Sequence, residues 1–187
     1  MAQRSSSSRM RTKIKGGHMS QLHSYRAPWG RSLKLMTLFG SVILIGIPLF
    51  SLSAPPDEKT ARLIMLGIPL TILIGVLLFI IRSYELENGA LKIRRLLWRT
   101  VIDLGALQDI EIKPNAMAGS IRTFGNGGFF SFSGLFKNKE LGSYRAFVTD
   151  PRQCIVLRFP NRVIVVSPDR QNEFVAIVKD AVFKTRS

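Results

Sequence analysis

The chain has 187 residues, 46% of them hydrophobic, a single cysteine and a formal net charge of +15. One cysteine excludes an internal disulfide and fits a reducing compartment, with Cys154 packing as a small hydrophobe in its apolar run. The length allows one modest domain beside a membrane segment, and the charge points to an anionic partner, nucleic acid or a lipid surface.

The charge is uneven along the chain. Residues 1–34 carry eight Lys/Arg and no acid; residues 35–81 balance two against two; residues 82–187 carry seventeen basic and ten acidic groups. Beside an apolar span a lipid surface explains the excess most simply, and the positive-inside rule alone accounts for it without any specific ligand. Residues 1–20 are rich in Ser, Lys and Arg and have almost nothing to bury, so a basic, largely disordered tail is expected through residue 34. They do not read as a signal peptide. Met10 and Met19 are both candidate internal starts, so residues 1–18 read as an extension. In residues 21–34, Tyr25 and Trp29 lie among Arg26, Arg31 and Lys34, the pattern of a headgroup-level anchor. His18 and His23 have no Cys, Asp or Glu nearby and read as solvated.

Residues 35–54 form a chargeless span of twenty. Residues 63–81 form a second of nineteen, fourteen of them Leu, Ile, Val or Phe. A helix of nineteen residues rises about 28 Å, close to the hydrocarbon thickness of a bilayer. Residues 55–62, beginning Pro55-Pro56, are a polar turn short enough to make the spans antiparallel neighbours. The basic flank then places both chain termini in the cytoplasm, as in a multi-pass inner-membrane protein. Pro48 and Pro69 are predicted at one depth of this transmembrane hairpin. Gly67, Thr71 and Gly75 form a small-xxx-small stripe, suited to hairpin packing or to oligomerisation. Neither span holds an ionisable side chain, which argues against a proton relay, an ion pathway or a transporter.

From Arg82 the period becomes two. Residues 83–87 and 90–94 flank Asn88-Gly89, a hairpin signal. Residues 98–104 and 107–112 read as strands, 114–128 as a Gly-rich loop, and 129–136 as a strand. Its strict alternation puts Phe130, Phe132 and Phe136 in a core, although Phe124 and Phe129 beside the loop are candidates to dip into lipid. Residues 143–149 follow, then a hairpin of 154–159 and 162–166. A helix over 168–184 closes the chain, capped by Ser167 and started by Pro168, with Phe174, Ile177, Val178, Ala181 and Val182 on one stripe. The expected fold class is membrane-anchored α+β: two helices, then a seven-stranded barrel or sandwich plugged by the last helix.

Residues from about 84 to 183 resemble a bacterial pleckstrin-homology (PH) domain. The most specific pieces are Gly127-Gly128-Phe129-Phe130, Gly134-Leu135-Phe136, Gly142-Ser143-Tyr144-Arg145-Ala146 and Ser167-Pro168. The resemblance implies seven strands with a capping helix and a membrane-side location, and it implies no reaction. Phosphoinositide-binding relatives wrap a headgroup with a long first loop, and here that loop is only Asn88-Gly89. Diffuse attraction is expected instead, about 1 kcal/mol per basic group, from Arg26, Arg31, Lys34, Arg82, Lys92, Arg94, Arg95 and Arg99.

No nucleophile–base–acid set, P-loop or metal-ligand spacing is legible, so no enzyme, cofactor or metal is expected. The leading expectation is a non-enzymatic membrane protein that presents its barrel to lipid or to a protein partner, itself included, as a scaffold or assembly subunit. The alternative is an accessory subunit of a membrane enzyme or transporter working through the hairpin. A nucleic-acid partner is disfavoured.

Overall fold

The computed structural model describes residues 22–52 and 59–183. Residues 1–21, with His18 and both candidate starts, lie outside the described residues, as do residues 53–58, which include the first half of the polar turn (55–62), and residues 184–187. Ten strands and three helices follow one another among the described residues. A four-stranded sheet holds β1 (His23–Arg26), β2 (Ser83–Glu87), β3 (Ala90–Arg94) and β4 (Arg99–Asp103), in that order. A six-stranded sheet adds β5 (Asp109–Ile112), β6 (Ile121–Gly127), β7 (Phe132–Asn138), β8 (Gly142–Val148), β9 (Ile155–Phe159) and β10 (Arg162–Val166). Its order is β5-β9-β10-β8-β7-β6, with β10 parallel to β8.

The β2–β3 turn is the one the Asn-Gly pair predicts, both residues having positive φ (53° and 69°). Between the sheets lies a core of Leu91, Ile93, Leu107, Phe147, Ile155 and Leu157, closed by Phe174, Val178 and Val182 of α3 (Gln171–Phe183). A second cluster, with Phe136, Tyr144, Val156 and Val165, fills the other face of the larger sheet under residues 113–120. Strands β9 and β10 are therefore buried on both faces, which is why they read as near-continuous apolar runs.

Several expectations are corrected. The expected tail through residue 34 contains a strand: β1 pairs antiparallel with β2, His23 opposite Leu86 and Arg26 opposite Ser83. Tyr25, read as a headgroup anchor, is 1% exposed, its ring edge-on to Phe174 at 5.1 Å. The expected seven-stranded barrel has nine strands between residues 83 and 166: the eight segments read as strands, and 121–127, read as loop, which is the edge strand β6. The last helix begins at Gln171 and not at residue 168. Arg170 has φ +49°, and the expected cap residues are engaged elsewhere. Asp169 exchanges two hydrogen bonds with the Arg26 main chain. Ser167 Oγ accepts the N–H groups of Thr149 (2.8 Å) and Asp150 (3.2 Å), and lies 3.4 Å from the Tyr84 hydroxyl.

Phe129–Phe136 do not alternate strictly either. Phe136 is buried as expected, but so are Ser131 and Ser133, while Phe130 and Phe132 are half-buried and Leu135 is exposed. The phase breaks at Gly134 (φ +152°), which faces Gly125 one pair away from a register shift between Arg122 and Phe124.

Two helices precede β2: α1 (Arg31–Leu52) and α2 (Lys59–Leu77). By length and composition, Arg31–Phe50 suffices to cross a membrane, while the apolar part of α2, Leu63–Leu77, is shorter. The predicted nineteen-residue span stops four residues early because its last residues belong to the barrel. Ile81 is fully buried in the core and the Arg82 N–H already bonds the Arg94 carbonyl.

Burial pushes the Cys154 thiol and the Tyr84 hydroxyl each up to about 12. Both groups are held neutral, so they contribute stability below their unfolded pKa values, about 9 and 10. That contribution is lost as pH rises toward 12. The expected result is alkaline destabilisation starting near pH 9, with Tyr84→Phe and Cys154→Ala flattening the profile. A melting series from pH 7 to 11 checks it.

Candidate functional site

The polar exceptions on apolar elements converge where both helices meet the barrel. The Gly30 N–H bonds the Thr149 carbonyl (3.0 Å), Leu33 is fully buried, and the Thr37 hydroxyl accepts the Phe130 N–H (3.0 Å). Gly40 lies against the Phe129 ring so closely that a Cβ there would overlap it. The first three turns of α1 therefore run along the barrel. Two residues past α2, the Phe79 carbonyl accepts the Ser131 hydroxyl (3.1 Å), and the Phe79 ring meets Trp98 edge to face at 5.2 Å. Trp29, expected at the headgroups, packs edge-on to Phe130 at 5.9 Å. Of the buried serines in the 129–136 segment, Ser131 thus ties the sheet to the end of the second helix.

Arg95 is the least expected member. Its guanidinium turns inward, 5.3–5.7 Å from the centroids of Phe79, Trp98 and Phe147, and donates to Ser133 Oγ at 3.0 Å. Its Nε is buried without a partner. Burial, with Arg145 nearby, lowers its pKa from the usual arginine value. Stacking on three rings offsets part of that desolvation.

The other basic candidates separate by partner. Lys92 is paired with Glu87, and Arg94 with Glu85 at 3.1 Å. Arg26, Arg31, Lys34, Arg82 and Arg99 are exposed and form no ion pair among the described residues. Arg94 and Arg99 stand directly opposite each other on β3 and β4. Between them Leu96, Leu97 and Trp98 are all exposed, Leu97 at 73%. Apolar exposure continues on α1, where Leu35, Leu38 and Phe39 face outward beside the barrel.

Of the helix-packing candidates, Pro69 is buried and Pro48 half-buried, while Gly67 and Thr71 face out. The Thr71 hydroxyl donates back to the Gly67 carbonyl at 2.7 Å. A Cβ at Gly67 or Gly75 would meet nothing within 4 Å. The small-residue stripe therefore lies outside the α1–α2 contact, not in it.

Chemistry elsewhere is sparse. Among the described residues no group of three His, Cys, Asp or Glu could hold a metal. A groove of about 600 Å³ between the β2–β3 turn and α3 has Glu87 and Asp180 on its rim, at the end of β2 remote from α2. Thr37, Gly40, Ser131 and Ser133 escape a sequence reading. Thr37 and Gly40, small residues in an apolar helix, are the only trace of the barrel contact.

Residues 82–182 match the family model described as a bacterial PH domain. No curated protein and no solved structure matches the chain. The match begins at Arg82, so β1 and both helices lie ahead of it.

Proposed function

The chain belongs to the bacterial PH domain family, and on that premise we propose that it is a non-enzymatic membrane protein whose barrel serves protein or lipid-surface interaction, as a scaffold or assembly subunit. In this reading α1 and α2 cross the inner membrane as a hairpin, with both termini cytoplasmic. The observation that carries it is the absence of a linker. Phe79 touches Trp98 and Ser131, Thr37 binds Phe130, and the strand starts at Ser83, so the barrel stays against the surface from which the helices leave. Exposed Arg31, Lys34, Arg82 and Arg99 lie at that junction, on the side the positive-inside rule assigns to the cytoplasm. The buried, protonated Cys154 is a poor nucleophile, which supports the non-enzymatic reading.

The test is cysteine labelling in a Cys154→Ala background, since the native thiol is buried. A membrane-impermeant maleimide is expected to reach a Lys139→Cys variant only after cells are opened, and an Asp57→Cys variant in intact cells. Equal labelling of Lys139→Cys in intact and opened cells overturns the topology. One observation favours a second reading, an accessory subunit working through the hairpin: the outward Gly67–Thr71–Gly75 stripe offers close approach to another helix. Replacing both helices by unrelated apolar ones separates the two, because only the second reading loses function.

A further inference from the structure

We propose that the barrel is sunk into the bilayer rather than resting on it, the Leu96-Leu97-Trp98 turn entering an anionic headgroup layer beside the end of α2. This rests on the reading that both helices cross.

The first argument is length. The apolar part of α2, Leu63–Leu77, rises about 22 Å, against a hydrocarbon thickness of about 30 Å. The missing depth, on the order of 10 Å, has to come from surface beside the helices, unless the bilayer thins. The second argument is the exposed face of α1. Leu35, Leu38 and Phe39 point outward at the level where Thr37 and Gly40 touch the barrel. An apolar face that wide is not left in water; lipid reaching that level covers it.

The third argument is the turn itself. The Arg95 N–H bonds the Trp98 carbonyl at 2.9 Å, which places Leu96 and Leu97 at the tip. Trp98 is locked to Phe79, so the tip is held level with the end of α2. Tryptophan suits such a depth, with an apolar ring and one N–H donor. The fourth is charge. Exposed Arg94 and Arg99 are direct cross-strand neighbours, and among the described residues Arg94 is ion-paired with Glu85 while Arg99 has no ion pair. Like charges so placed repel. An anionic phosphate shared between them removes the repulsion, and Arg82, beside Arg94 in the ladder, adds a third cation.

The experiment uses the full chain in vesicles of phosphatidylethanolamine and phosphatidylglycerol, with Trp29→Phe and Trp98→Phe. Leu97→Trp then supplies the single fluorophore at an exposed position that tolerates the ring. Its emission is expected to be blue-shifted, quenched by lipids brominated on the acyl chain, and shielded several-fold from iodide. Phe50→Trp in the same background reports α1. Leu97→Trp emission that is open to iodide while Phe50→Trp is quenched by brominated lipid overturns the proposal and leaves the anchor standing. Both probes open to iodide overturns the anchor itself. Leu97→Trp shielded from iodide yet untouched by brominated lipid also overturns the proposal, since protein then covers the turn.

Discussion

Replacing Gly134 by alanine is expected to cost about 3–5 kcal/mol and to abolish the two-state melt of the barrel. Gly134 and Gly125 stand opposite each other on β7 and β6, both at positive φ (+152° and +98°). A Cβ at Gly134 would overlap the Phe124 carbonyl and lie 2.9 Å from the Gly125 Cα. The obstacle is main chain, so no rotamer relieves it and the strands must part. Gly142 provides the contrast. It also has positive φ (+67°), but a Cβ there meets nothing within 4 Å. Gly142→Ala should therefore show the left-handed strain alone, about 1–2 kcal/mol. Denaturant midpoints of the two variants in detergent check the difference. Equal costs would mean that the close approach of β6 and β7 is not rigid.

Tyr25→Ala is expected to cost about 3–5 kcal/mol, the range for deleting a buried aromatic ring. Tyr25 is fully enclosed, edge-on to Phe174, with the Arg170 guanidinium 5.0 Å from its ring centroid. Tyr25→Phe keeps the ring and loses only a long hydroxyl contact to Glu173 (3.5 Å), so it should cost no more than about 1 kcal/mol. A chain started at Arg82, where the family match begins, is expected to melt lower than the full chain by more than Tyr25→Ala does. It loses the whole β1 ladder as well as the ring. Thermal melts by circular dichroism read all three; an unchanged melt of the short chain would remove β1 from the domain.

What the sequence reveals and conceals follows from where the stabilising contacts lie. The β2–β3 turn was legible because Asn88 and Gly89 are the residues that tolerate positive φ at a two-residue turn. The α3 stripe was legible because Phe174, Val178 and Val182 recur at helical spacing and are all buried. Strand β1 was not legible: only Tyr25 of its four residues is buried, and its pairing partner lies far along the chain. Strand β6 hid for the opposite reason, being an edge strand exposed over most of its length with no buried face to alternate. The end of α2 was overshot because Phe79 and Ile81 are as apolar as any lipid-facing residue, although Ile81 goes to the core. At the junction, Arg95 read as one more surface cation. Its inward turn depends on Phe147 and Ser133, which no local pattern places beside it.

Arg26 and Ser83 face each other across the first ladder, although residues 27–82, with both helices, separate them in the chain. The sheet thus seals a stitch whose thread leaves and returns. Under the proposed hairpin, a copy whose first segment was stranded across a lipid barrier has no way to complete it: the flank of β2 stays bare and the hole meant for Tyr25 stays empty. In that reading correct threading and a finished fold become a single event, and a mis-inserted molecule carries its own mark for proteolysis.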